Sequence, residues 1–330
     1  MDLSSLGLGT YLGPPSPDAD RRYTESALAF YTLGGSVYDT AANYRHGHSE
    51  WALGAAFASL PREAFFISTK AGYLPMSDGV TQEGPRAWFE RVLTRPGILS
   101  PEEVVDGCHA MTPAYLEAQL AHSRAALGVD AVDLFHLHNP EHQRPSLGPA
   151  RFEDALLQAF EACEAFVAKG WTRAYGCATW NGFRVADTAP DHLSLERLLA
   201  MAERAGGRDH HFRWIQLPLN LAMPEAFLTP TQVFQGEALT ALEAALAAGL
   251  EVQTSASIMQ ARILRQLSPD FIAALGASTP AQAALQFTRS CPGVTVALCG
   301  MGSPAHVAEN AALLALPKAT SRVLASVFED

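Results

Sequence analysis

Short apolar runs alternate along this chain with longer stretches in which apolar positions recur every three or four residues. The short runs cover residues 6–10, 36–41, 65–70, 132–138, 174–178, 214–219, 251–257 and 295–299. They predict eight strands. The longer stretches, at 20–33, 49–59, 113–127, 152–169, 194–205, 237–248, 280–288 and 305–314, predict helices. Boundary signals agree with this division. Ser49 with Glu50 opens one helix, Gly34-Gly35 closes another, and Gly249 follows Ala248. A strand–helix alternation of this count predicts one α/β domain over residues 1–330, a closed (β/α)8 TIM barrel. The rival, an open doubly wound sheet, is disfavoured because no Gly-x-Gly-x-x-Gly lies between a strand and a helix.

One stretch breaks the alternation. Residues 71–112 are rich in Pro and Gly and carry Tyr73, Trp88 and Phe89. A connection of this length in a compact domain is usually functional or disordered, and its aromatics favour an ordered segment. It leaves the third strand at its carboxyl end, so it is expected to form a lid or pocket wall, with a subunit contact as the alternative.

Four polar residues sit at, or just beyond, the carboxyl ends of predicted strands: Asp39, Tyr44, Lys70 and His138. Strands that each deliver a polar group to one rim describe an active site at the mouth of a barrel. The set also makes chemical sense. A tyrosine hydroxyl titrates near ~10, and a neighbouring ammonium favours the phenolate. Asp39 would keep Lys70 charged and aimed, leaving Tyr44 as a proton donor tuned for use near neutral pH.

Composition narrows the field. The hydrophobic fraction is 48%, enough for a large core. The net charge of −11 leaves nothing to neutralise phosphates, so no nucleic-acid partner is expected. No basic run points to a membrane surface, and no apolar stretch is long enough to span one. The five cysteines, Cys108, Cys163, Cys177, Cys291 and Cys299, are scattered and lack a Cys-x-x-Cys, which argues against a disulfide framework or a zinc knuckle. The amino terminus lacks a basic segment followed by an apolar one. Together these features predict a cytoplasmic protein.

The chain resembles the aldo-keto reductases. The resemblance is carried by Leu6-Gly7-Leu8-Gly9-Thr10, by Tyr38-Asp39-Thr40-Ala41-Ala42-Asn43-Tyr44 with Ser49-Glu50 after it, and by Ser68-Thr69-Lys70. Asp133-Leu134-Phe135-His136-Leu137-His138-Asn139-Pro140, Ile215-Gln216-Leu217 and Glu309-Asn310 complete it. The segments stand in family order, and His138-Asn139-Pro140-Glu141 with Ala178-Thr179-Trp180 looks like a less familiar branch. What the resemblance implies is an oxidoreductase that interconverts a carbonyl (an aldehyde, a ketone or a sugar lactol or lactone) and an alcohol. The cofactor would be NADP or NAD. Tyr44 would donate the proton with help from Lys70 and Asp39, and His138 would orient the small-molecule carbonyl or alcohol substrate. Cofactor contacts are expected from Gly9, Thr10, Tyr11, Asp39, Thr179, Gln216, Ser255, Gly300, Met301, Gly302, His306, Glu309 and Asn310. Substrate contacts are expected from Tyr11, Trp88, Asn139 and Trp180.

The cofactor half departs from the family pattern. A Ser-Asn pair usually follows the fifth strand, where this chain has Ala178-Thr179. An aromatic often stacks on the nicotinamide from the seventh strand, where this chain has Ser255. Gly300 stands where a lysine would grip the adenosine 2′-phosphate, and His306 where an arginine would. Losing two cations predicts that NAD is used at least as readily as NADP.

Two other classes fit some of these residues. His136 and His138 share one face of a strand, and a His-x-His pair on a barrel can hold a metal in a hydrolase or isomerase. That reading needs ligands from later strands, and His192, His210 and His211 end none, so no metal is expected. The other class is a non-catalytic, nicotinamide-binding regulatory barrel.

Overall fold

The computed structural model describes residues 2–75 and 82–327. Eight parallel strands close into a barrel: β1 (Leu6–Gly9), β2 (Val37–Asp39), β3 (Phe66–Ala71), β4 (Val132–His138), β5 (Thr172–Ala178), β6 (Phe212–Pro218), β7 (Glu251–Ser255) and β8 (Val296–Gly300). Each pairs with its sequence neighbours, and β8 closes the ring on β1, with Gly9 opposite Gly300. Strands buried on both faces read as near-continuous apolar runs, which is why all eight are visible in the sequence.

The barrel helices are α1 (Pro17–Thr32), α2 (His48–Phe57), α3 (Pro113–Leu127), α4 (Pro149–Ala168), α5 (Leu195–Gly206), α6 (Ala241–Ala247), α7 (Pro280–Ser290) and α8 (Pro304–Ala311). A Ser/Thr-Pro pair recurs at their starts. Ser16, Thr112, Thr279 and Ser303 each cap with a side-chain oxygen, and each is followed by a proline in the first turn. The cap satisfies a free N–H, and the proline occupies a position where no N–H is needed.

Two predicted boundaries are corrected. The helix expected from residue 237 starts at Ala241, because Gln232–Phe234 and Glu237–Leu239 pair as an antiparallel hairpin. Its turn, Gln235-Gly236, has φ of 52° and 84°, the left-handed pair a tight hairpin requires. Thr240 and Glu243 then form the capping box that starts the helix. Ser49 and Glu50 do not cap α2 either; Gly47, at φ 92°, precedes it. Both are buried. Ser49 donates to the Thr10 carbonyl at 2.7 Å, and Glu50 accepts from Thr69 Oγ1 at 2.6 Å.

Of the 71–112 stretch, residues 76–81 lie outside the described residues; the described part, 71–75 and 82–112, forms an excursion from the end of β3. Its two ends are zipped together: Leu74 N–H donates to Cys108 O and Ala110 N–H to Gly72 O, both at 2.8 Å. Tyr115 of α3 adds a bond from its hydroxyl to Tyr73 O at 2.8 Å. The excursion has its own apolar cluster of Trp88, Leu93, Leu99, Ala110 and Tyr115. Among the described residues, no helix is long and apolar enough to cross a membrane.

Candidate active site

The carboxyl ends of the strands surround a cavity of about 450 Å³. Its lining includes Gly9, Thr10, Tyr11, Asp39, Tyr44, His138, Asn139, Thr179, Trp180, Gln216, Ser255 and Gly300, all expected from the sequence. Lys70 lies directly beneath, fully buried. Its ammonium donates to Asp39 Oδ2 at 2.6 Å, to the Thr40 carbonyl at 2.8 Å and to Tyr44 Oη at 3.2 Å.

The register explains the convergence. Asp39 stands opposite Ser68, Lys70 opposite His136, and Ala178 opposite both His138 and Gln216. Below the rim a polar network spans the lumen. Asp39 Oδ1 accepts from Ser68 Oγ at 2.6 Å and from Gln216 Nε2 at 2.9 Å. Gln216 also donates to Gln253 Oε1 at 2.8 Å, and that oxygen lies 3.2 Å from His136 Nε2. β2 and β6 are diametrically opposed in the ring, so the Asp39–Gln216 bond crosses it. Gly176 leaves room for His136; a Cβ there would come within 3.0 Å of its Nδ1.

The electrostatics correct one expectation. Burial raises the Tyr44 phenol by more than Lys70 lowers it, so the hydroxyl holds its proton well into the alkaline range. Sequence shows the neighbouring ammonium but not the desolvation that opposes it. Burial also works against the Lys70 ammonium, but Asp39 and Tyr44 outweigh it and the net direction is up. His138 is pushed well below the usual range, first by burial and then by Lys70, so it is neutral. The site therefore pairs a protonated phenol with a fixed cation and a neutral imidazole.

His138 is held from behind by the excursion. His109 Nε2 lies 2.7 Å from the His138 carbonyl, and His109 Nδ1 lies 2.8 Å from Gln143 Nε2. Tyr73 packs edge-on to His138, its ring centroid 5.1 Å away, and its hydroxyl accepts from Asn139 Nδ2 at 3.2 Å.

A second groove of about 460 Å³ adjoins the first through Leu12, Ile258, Gln260 and Gly300. Gly302, His306, Glu309 and Asn310 line it. Asn310 is buried, and its Oδ1 has no hydrogen-bond partner. Glu309 accepts from Thr279 at 2.6 Å.

Two expected residues lie elsewhere. Trp88 is buried in the excursion's own cluster and does not line the cavity; its apolar ring finds a core of its own there. Met301 is buried beneath the rim and joins neither lining. Conversely, Gln253, Ile258 and Gln260 carry no expectation from the sequence, nor does Arg22; Tyr73, an aromatic of the 71–112 stretch, lines the cavity together with Asn43. Arg22 reaches the second groove from α1, where it pairs with Asp18. Gln253 carried a usable signal, a polar residue inside a barrel strand. Ala256, Met259, Gln260 and Ala261 all have positive φ, and nothing in their residue types announces that bend. Among the described residues no three His, Cys, Asp or Glu side chains converge as a metal site would require. His136 bonds to Gln253, and His192 bonds to the Thr231 carbonyl.

Comparison with known proteins gives matches at two levels. The family model described as the Aldo/keto reductase family matches residues 5–198, more than half of the chain. D-threo-aldose 1-dehydrogenase from a Pseudomonas species is 33% identical over 148 residues, 45% of this chain and 41% of that protein. The NADH-specific methylglyoxal reductase of Escherichia coli K12 is 30% identical over 145 residues, 42% of this chain and 39% of that protein. The chain thus spans about two fifths of the length of each of these curated relatives. Among solved structures, an aldo/keto reductase from Klebsiella pneumoniae in complex with NADP and acetate superposes with a TM-score of 0.63. It is 22% identical, and the match covers 98% of this chain and 90% of that one; at this identity it speaks for the fold.

Proposed function

This chain belongs to the aldo/keto reductase family, and we propose that it interconverts a small carbonyl compound and its alcohol with a nicotinamide cofactor, Tyr44 supplying the proton. The observation that carries the reading is the buried Asp39–Lys70–Tyr44 chain of contacts at the floor of the cavity. Support for the cofactor comes from the shape and chemistry of the two joined grooves. The second is lined by Asn310, whose buried side-chain oxygen has no partner, which suits the amino group of an adenine ring. Gly9, Thr10, Thr179, Gln216 and Ser255 would hold the nicotinamide end. Gly300, Gly302, His306, Glu309 and Asn310 would hold the adenosine end.

The cofactor, when bound, supplies the hydride. The chain supplies position and proton transfer. Neutral His138 donates one ring N–H to the substrate oxygen and fixes the carbonyl over Tyr44. Tyr44 Oη passes its proton to that oxygen as charge builds there. Lys70, 3.2 Å away, stabilises the phenolate left behind, and Asp39 keeps the ammonium in place. Tyr11, Asn139 and Trp180 would contact the rest of the substrate.

Arg22 carries the positive charge of an arginine to the adenosine groove, but its guanidinium is shared with Asp18. Gly300 adds none, and an acidic residue, Glu309, is close by. This composition supports use of NAD at least as readily as NADP. The test is a fluorescence titration with NADH and NADPH, followed by turnover on a panel of aldehydes, ketones and sugars. A thousand-fold preference for NADPH would overturn the cofactor assignment, and binding without turnover of any carbonyl or alcohol would favour a regulatory barrel. Tyr44→Phe should lower turnover by about a thousandfold while sparing cofactor affinity; a fully active variant would sink the proton-donor role.

A further inference from the structure

Glu141 stands just past the end of β4, three residues beyond His138, and it does not line the cavity. It is only 3% exposed. Its Oε1 accepts from three successive backbone N–H groups of the turn after β5: Trp180 at 2.7 Å, Asn181 at 3.1 Å and Gly182 at 3.4 Å. Three consecutive N–H groups aimed at one point form an anion-binding concavity. Here the anion comes from the chain itself.

The other faces of that turn are also tied. Arg184 Nε donates to the Trp180 carbonyl at 2.8 Å, Leu193 N–H to the Gly182 carbonyl at 2.7 Å, and Asn181 Nδ2 to Asp191 at 2.8 Å. Thr179 N–H donates to the Gln216 carbonyl at 2.8 Å. The turn carries Thr179 and Trp180, both on the cavity wall, yet Trp180 is 49% exposed. Its place is set by the backbone beneath it, and three of the contacts that fix that backbone converge on Glu141. Burial pushes the Glu141 carboxyl up to about 7 against the pull of these N–H groups, as expected for a group placed for its bonds rather than its solvation.

We propose that Glu141 is a positioning residue that locks the 179–182 turn, so that Thr179 and Trp180 form a fixed wall and set the affinity of the cavity for its ligands. The proposal rests on the function argued above. Hydrogen bonds to a charged acceptor are stronger than those to a neutral one, so at pH 8, where the Glu141 carboxyl is ionised, an amide in its place should weaken the lock and a methyl group should remove it.

The test compares Glu141→Gln and Glu141→Ala with the parent protein in steady-state kinetics, cofactor titration and tryptophan emission. Trp180→Phe, alone and combined with each, assigns the Trp180 share of the emission. Glu141→Ala should raise KM and cofactor Kd at least tenfold with kcat within about threefold, and should change Trp180 emission. Glu141→Gln should raise KM about threefold. A lowered melting temperature with unchanged KM and unchanged Trp180 emission would mean a merely structural carboxylate, and a fall in kcat at constant KM would mean a role in the chemistry; either overturns the proposal. If the alanine variant does not fold, the glutamine variant decides by the same readouts. If the parent protein turns over no carbonyl or alcohol, the function above has failed. Trp180 emission and accessibility to a neutral quencher then decide the lock alone: an unchanged pair of values in both variants overturns it.

Discussion

Replacing Lys70 by methionine isolates the ammonium's effect on Tyr44. The side chain keeps nearly its length and loses its charge. At the observed Nζ–Oη separation of 3.2 Å, a unit charge stabilises a full phenolate by about 5 kcal/mol at an effective dielectric of about 20. Proton transfer is partial in the transition state, so about half of this, roughly 2–3 kcal/mol, is lost there. That converts to a kcat about a hundredfold lower, while cofactor affinity holds because Lys70 lies below the cavity wall. Asp39 keeps its bonds from Ser68 and Gln216, yet breaking a buried pair costs about 3–5 kcal/mol of stability. Melting must therefore be followed beside the kinetics. The decisive comparison is a double-mutant cycle read from turnover of NADH or NADPH with a reactive aldehyde. Groups acting as a unit are strongly non-additive. Lys70→Met should therefore slow the parent about a hundredfold but change the residual rate of Tyr44→Phe by less than about threefold. Equal losses in both backgrounds would show that Lys70 does not work through Tyr44, and the proposed proton path would be wrong.

Two further outcomes follow from groups outside the cavity. Burial lifts the Glu50 carboxyl to about 7, beyond what Thr69, Ser123 and Lys70 take back. The folded state then holds a proton that the unfolded chain releases near 4.5, so this group's contribution is present below about pH 4.5 and is lost as pH rises through about 7. At roughly 1.4 kcal/mol per tenfold the loss is about 3 kcal/mol. Denaturant unfolding at pH 5 and pH 8 should show Glu50→Gln gaining about 2–3 kcal/mol on the parent over that interval, and parallel pH curves would refute the burial argument. Gly72→Ala would place a Cβ 2.6 Å from His109 Nε2 and 2.7 Å from the His138 carbonyl, against the bond that joins them. It should cost about 1–3 kcal/mol of stability and at least tenfold in kcat/KM; parent-like kinetics would show that the excursion does not hold His138.

The barrel was legible because its strands are buried on both faces, and its mouth because polar residues end those strands. Asp39, Tyr44, Lys70 and His138 meet as their positions imply. What could not be read was whether a polar residue bonds locally or across the fold. Ser49 and Glu50 have the sequence of a helix start, yet they bond to Thr10 and Thr69. The hairpin before α6 was hidden because its second strand, Glu237–Leu239, continues without a break into a helix-period segment. Trp88 carries an aromatic ring in a loop that leaves the active-site rim, but only packing shows that the loop has a core of its own. The Tyr44 shift was missed because desolvation depends on every atom placed around the ring.

The bond from Asp39 to Gln216 joins opposite walls of the barrel, and Gln253 and His136 extend it. The groups that aim the Lys70 ammonium are thus also internal struts. Heating cannot loosen one role and leave the other standing: the strands cannot part without releasing the cation, and the cation cannot drift while the struts hold. Thermal inactivation of this protein should coincide with loss of its secondary structure, so that residual activity counts the molecules still closed.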